Sequence, residues 1–143
     1  MALSLQFLES RKFWKTSLIL FHSVGSGKSS LFNSLLGEML YDPTNPPLME
    51  INGNLTYVAQ KPWIVNATIK ENIIFENEYD EHAYEDALTT SCLKSDLESF
   101  IKKDETEIGE KGVNLSGGQK ARIALARAIY SNSDIYLLDD PLR

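Results

Sequence analysis

Two short runs of this sequence have the residue types needed to hold phosphate. The first is Gly25-Ser26-Gly27-Lys28-Ser29-Ser30, preceded by Val24. Glycines let backbone N–H groups curl round an anion, a lysine reaches the outer phosphates, and a hydroxyl can hold Mg²⁺. Gly25 and Gly27 supply the close approach, Lys28 the charge, Ser29 the metal-side hydroxyl and Ser30 a further donor. The second run is Leu115-Ser116-Gly117-Gly118-Gln119, which opens a strongly helical stretch. Unpaired N–H groups at a helix start form an anion site. Ser116 also suits the N-cap position, and capping and anion binding use the same N–H groups.

Carboxylates and one amide complete the set. Asp139 closes the apolar run Ile135–Leu138 and is followed by Asp140. In parallel α/β sheets ligands gather at the carboxyl ends of strands, where an aspartate can orient Mg²⁺ through its water shell. Gln60 follows another strand-like run, Leu55–Val58. One position departs from the usual phosphate-loop pattern G-x-x-x-x-G-K-[ST]: His22 stands where the first glycine belongs. A side chain there can strain the turn and crowd the phosphates, with weakened affinity as one outcome, although histidine tolerates positive φ better than most residues.

The elements that must position these groups are legible in outline. Leu18–Phe21 is a short apolar run of the buried parallel-strand kind. Leu31, Phe32, Leu35, Leu36, Met39 and Leu40 follow at helical spacing, and the proline-rich stretch 41–47 ends that helix. Asn52-Gly53-Asn54 turns the chain into Leu55–Val58, and Gln60-Lys61-Pro62-Trp63 breaks that strand. From Thr68 to about Tyr130 the pattern is mainly helical. Ala83, Tyr84, Ala87 and Leu88 mark one apolar face; Leu93, Leu97, Phe100 and Ile101 mark another. Gly109–Gly112 is a break, and Ala121, Ala124, Leu125, Ala128 and Ile129 form a stripe behind the Ser-Gly-Gly run. Asn132-Ser133-Asp134 ends it, and Ile135–Leu138 is a second buried strand. The layout is an α/β core interrupted by a helical insert.

Composition narrows the function classes. The 143 residues fit one domain or part of one, and 43% hydrophobic content supports a globular core. Net charge is −6 with no long basic run, which argues against a nucleic-acid partner. The acidic stretches Glu76–Asp86 and Asp96–Glu110 read as solvated helical faces. Cys92 is the only cysteine, so no internal disulfide forms; a half-buried, unreactive thiol is expected. No apolar run approaches the roughly 20 residues of a membrane span. The chain is therefore expected to be soluble, with any membrane role supplied by a partner domain.

The two phosphate runs, in this order, resemble the ATP-binding cassette family. Tyr57-Val58-Ala59-Gln60-Lys61-Pro62-Trp63-Ile64-Val65-Asn66-Ala67-Thr68-Ile69-Lys70-Glu71-Asn72-Ile73-Ile74-Phe75 is similar to its multidrug-resistance-associated (C) branch. So are Leu36-Gly37-Glu38-Met39 and Ile135-Tyr136-Leu137-Leu138-Asp139-Asp140-Pro141-Leu142. The resemblance covers roughly residues 17–143. It implies a phosphate-loop NTPase fold: a parallel sheet core with a helical subdomain at about 66–131, preceded by a segment, 1–16, of uncertain structure. The family's next elements, the aspartate loop and the switch histidine, fall beyond Arg143, so the expected domain is C-terminally incomplete. His82 precedes the Ser-Gly-Gly run and does not replace that histidine.

The resemblance also implies roles. ATP and Mg²⁺ are the expected cofactors, held by residues 24–30 with Ser29, Gln60 and Asp139 on the metal side. Gln60 corresponds to the family's glutamine loop, which senses the γ-phosphate. Asp140 occupies the place of a catalytic glutamate and points to the first of two nucleotide-binding domains. It is one methylene shorter, which predicts slow hydrolysis. Ser116, Gly117, Gly118 and Gln119 match the signature that closes over ATP held by a second, facing domain. Trp14 and Phe7 are the candidates for stacking on adenine. The implied function is the ATP-binding domain of an exporter, on the cytoplasmic side of a membrane through linked transmembrane domains. Two other readings remain at this point: a nucleotide-binding remnant without turnover, and a soluble chromosome-maintenance cassette, for which the coiled-coil insertions and basic surface are not visible.

Overall fold

The computed structural model describes residues 6–9, 16–20, 28–38, 44, 52–110 and 112–139; for 6–9, 16–20 and 28–29 it describes the backbone path. A four-stranded sheet contains β1 (Gln6–Glu9), β2 (Thr16–Leu20), β3 (Leu55–Val58) and β6 (Ile135–Asp139), in the spatial order β1-β2-β6-β3. β2 and β3 each run parallel to β6, and β1 is an antiparallel edge on β2. The parallel core is the one expected. Segment 1–16, which carries no clear pattern in the sequence, contributes β1, with Gln6 opposite Ile19 and Glu9 opposite Thr16. β2 begins two residues earlier than the apolar run, at Thr16, because pairing with β6 rather than side-chain polarity sets its limit.

Alternation along β6 explains how the sheet is covered on both faces. Ile135 and Leu137 pack with Phe32, Leu31 and Leu35 of α1 (Lys28–Leu35). Tyr136 and Leu138 turn the other way, against Ala124 and Ala128 of α5 (Gly117–Tyr130). Successive side chains of a strand point to opposite faces, so a continuous apolar run must be buried on both.

The helical insert has its own core. It contains α2 (Ile69–Ile74), α3 (Glu81–Thr90) and α4 (Lys94–Glu98), packed on the other side of α5. Ile69, Ile73, Ala87, Leu93, Ile123 and Ala126 are buried there. α5 therefore serves two layers: Ile123, Ala126 and Tyr130 join the helical core while Ala124 and Ala128 meet the sheet. The sequence stripe includes Ala124 and Ala128 on the sheet side and Ile129 on the helical core, but not Ile123, Ala126 or Tyr130; Ala121, Leu125 and Ile129 are half-buried. A short antiparallel pair, β4 (Ala67–Thr68) with β5 (Glu107–Ile108), ties the two ends of the insert together. The mainly helical reading of this region did not include it, because two-residue strands carry no periodicity.

Two further expectations are corrected. Ile101 is fully exposed rather than part of an apolar helical face, since α4 ends at Glu98 and the chain turns before reaching it. Cys92 is exposed, not half-buried, at the turn that follows α3.

Candidate nucleotide site

Strand register brings the expected site residues to one edge of the sheet. Leu20, the last residue of β2, lies opposite Asp139, the last of β6; Val58, the last of β3, lies opposite Leu138. The end of β2, Gln60 two residues beyond β3, and Asp139 thus share the carboxyl edge. Lys28 starts α1, so the strand–loop–helix context of the phosphate loop is present. Ser29 is in the first turn and Ser30 is exposed. Val24, Gly25, Ser26, Gly27, His22 and Asp140 lie outside the described residues, as do Trp14 and the side chain of Phe7.

Gln60 is exposed, whereas Asp139 is 9% exposed. A carboxylate in that position needs a partner. Tyr57 on β3 supplies one: its hydroxyl donates to Oδ2 of Asp139 at 3.3 Å. Burial, and then the Asp139 charge, raise the Tyr57 pKa above its ordinary value, so the hydroxyl keeps its proton as a donor. Among the described residues no cation pairs with Asp139, and no cluster of three His, Cys, Asp or Glu residues is formed. A buried carboxylate at the carboxyl edge of a parallel sheet fits Mg²⁺, which is held by one or two carboxylates plus the phosphates of its substrate.

The signature run occupies the start of α5. Ser116 is its N-cap and forms a capping box with Gln119: Gln119 N–H donates to Ser116 Oγ at 3.2 Å, and Ser116 N–H donates to Gln119 Oε1 at 3.0 Å. The Gln119 side chain is thereby committed to the cap, and its amide also reaches Asp96 Oδ1 at 3.5 Å. Ser116, Gly117 and Gly118 are exposed. A Cβ added at Gly117 would meet nothing within 4 Å, and one at Gly118 would come no closer than 3.5 Å to Arg122. Packing among the described residues does not require glycine at either position.

The structure does not bring this run against the sheet edge. Ala124, the first α5 residue on the sheet, lies eight residues beyond Ser116, about 12 Å along a helix. No hydrogen bond joins Ser116 to Gln60 or Asp139 among the described residues.

Several supporting residues escaped the sequence reading. Arg122 donates to both carboxylate oxygens of Asp96, fixing α4 beside the first turns of α5; that hydrogen bonding raises its pKa. Asn72, fully buried, accepts from Val65 N–H at 3.0 Å and donates to the carbonyls of Val65 and Thr68. Arg127 binds Asn72 in turn. Tyr57 is 82 residues from Asp139, and no spacing rule connects the two.

Known proteins resemble this chain over most of its length. The family model described as "ABC transporter" matches residues 15–143. ABC transporter C family member 3 of Dictyostelium discoideum is 52% identical over 129 residues, 90% of this chain. The vacuolar heme ABC transmembrane exporter abc3 of Schizosaccharomyces pombe is 53% identical over 86% of the chain. Multidrug resistance protein mrp-7 of Caenorhabditis elegans is 53% identical over 83%. The chain spans only 8–9% of the length of these relatives. With the family matched over nearly its whole length, and with relatives from the C branch, this chain belongs to the ABC transporter family as a nucleotide-binding domain.

Proposed function

We propose that this chain binds MgATP at the carboxyl edge of its parallel sheet and couples that binding to transport by linked membrane domains. The observation that carries the reading is the alignment of Leu20, Val58 and Leu138–Asp139, by which the end of β2, Gln60 and a buried carboxylate share one edge. Residues 24–28 and Ser30 hold the phosphates. Ser29 and Asp139 hold the metal ion, and Gln60 monitors the γ-phosphate from its exposed position. Mg²⁺ held by Ser29 and Asp139 would supply neutralisation of the phosphate charge. Asp140 acts on the attacking water, with the short reach that keeps turnover slow.

Ser116 and the N–H groups of Gly117 and Gly118 serve a nucleotide held by a second, facing domain. Support comes from the open space around Gly117. Glycine weakens a helix, and nothing among the described residues compensates for it here; we infer that the requirement lies in whatever approaches from outside. Membrane-spanning domains are the remaining partner. No helix of the described residues is long and apolar enough to cross a membrane. Trp63 and Phe75, 48% and 43% exposed and packed edge to face at 5.3 Å, give such a partner an aromatic surface. The domain is placed on the cytoplasmic side of the membrane. Residues 17–143 form its ATP-binding part, with 66–131 as the helical subdomain.

Sedimentation velocity tests the two-domain arrangement. MgATP is expected to drive association of the chain, with itself or with a second cassette domain, and Ser116→Arg is expected to prevent that association while leaving nucleotide binding intact. Association that ignores both the nucleotide and Ser116→Arg would contradict the reading.

A further inference from the structure

We propose that Tyr57 is a positioning residue for the metal-side carboxylate, anchoring Asp139 through Oδ2 and leaving Oδ1 for a divalent cation or its bound water. The inference rests on the MgATP reading above.

The placement follows from strand geometry. Tyr57 lies opposite Leu137 on β6, so Asp139 is its diagonal neighbour two residues further along the same face. That face is the one covered by α1. The Tyr57 ring packs on Phe32, with centroids 5.4 Å apart and planes at 51°, and Phe32 is fully buried. The ring is thus wedged between α1 and β6, with its hydroxyl at the carboxylate. A phenylalanine would satisfy the packing alone. The hydroxyl is a polar group brought into a half-buried place, and Asp139 is what satisfies it. Asp139 sits at the end of its strand, where the ladder holds its backbone but not its side chain. Among the described residues the Tyr57 bond is the one side-chain hydrogen bond to its carboxylate. Groups that orient a metal ligand in this way set metal affinity, and their loss typically weakens it 10- to 100-fold.

The test uses Mn²⁺ as the probe cation. Mn²⁺ is titrated into the chain with ATP, its free signal followed by electron paramagnetic resonance, and ATP binding is measured separately in excess EDTA. Tyr57→Phe removes one oxygen and keeps the ring. We expect it to raise the ATP-dependent Mn²⁺ dissociation constant about tenfold, with metal-free ATP affinity and melting temperature unchanged. Tyr57→Leu, which also disturbs the packing, should show the same cation-specific loss. In an Asp139→Asn background Tyr57→Phe should add nothing. Unchanged Mn²⁺ affinity in Tyr57→Phe, or an equal loss with and without metal, would overturn the proposal while leaving the nucleotide reading standing. If the unmodified chain binds no ATP at all, the nucleotide reading falls and this one falls with it.

Discussion

Arg127 on α5 and Asn72 on α2 are joined twice: Arg127 Nε donates to the Asn72 carbonyl at 2.6 Å, and Nη2 donates to its Oδ1 at 3.0 Å. The same guanidinium lies over the Trp63 ring, 3.7 Å from its centre, and donates to the Trp63 carbonyl. Burial lowers the Arg127 pKa to about 10, still well above neutral pH, so the group is charged where it sits. Through these contacts the segment just after Gln60 is fastened to the helix that carries Ser116. The segment that follows Gln60 and the helix that Ser116 caps thus share one mechanical support.

Removing that support should be costly. Arg127→Met keeps the length of the side chain but leaves buried acceptors on Asn72 without this donor and ends the stacking on Trp63. A loss of about 3 kcal/mol in urea unfolding is expected. Arg127→Lys should recover less than half of it, since one ammonium cannot reproduce the planar fork.

Cys92 should be improvable. It has φ of 57°, in the left-handed region, one residue past the C-cap of α3. Leu93 N–H donates to the Leu88 carbonyl and Cys92 N–H to the Thr89 carbonyl, the bond pair that normally ends on glycine. Cys92→Gly should therefore stabilise the chain by about 1 kcal/mol, raising the melting temperature by about 3 °C. A decrease would mean that the exposed thiol contributes something the hydrogen bonds do not show.

Gly117 offers the opposite trade. Gly117→Ala introduces a Cβ into open space at the start of α5 and should raise stability by up to about 1 kcal/mol. ATP-driven association should fall in the same variant, because the methyl occupies the surface offered to the facing domain. Thermal melts and sedimentation on one preparation separate the two effects.

Acid should loosen α2 through its cap. Glu71 accepts from the Thr68 backbone N–H at 2.8 Å and from its hydroxyl at 2.9 Å, and these bonds lower its pKa. A carboxylate lowered in the folded state stabilises fully above its ordinary range, and that contribution is lost as pH falls through the folded value. Amide exchange in the first turn of α2 should accelerate across that window. Glu71→Gln, which can still close a capping box, should flatten the dependence.

Much of the nucleotide edge is legible in the sequence because its parts are local. The apolar run before Asp139, the turn at 52–54 before β3 and the helix spacing around Phe32 each lie within one element. What connects the elements is not local. Tyr57 meets Asp139, and Arg127 meets Asn72, only after the sheet and the helical core have formed. The two-sided burial of α5 is hidden for a related reason. A helix serving two cores shows no single stripe, so the pattern at Ala124 and Ala128 masks the one at Ile123 and Ala126. The exposed position of Cys92 follows from a hydrogen-bonded helix end, which a cysteine in place of glycine disguises.

The central claim is that residues around Lys28 hold the phosphates of ATP despite the histidine at position 22. Isothermal titration calorimetry of MgATP into the folded chain tests it most directly. Saturable heat of association that disappears in Lys28→Ala, with the fold verified by circular dichroism, is the expected result. No heat from the folded, unmodified chain, or the same heat from Lys28→Ala, would contradict it.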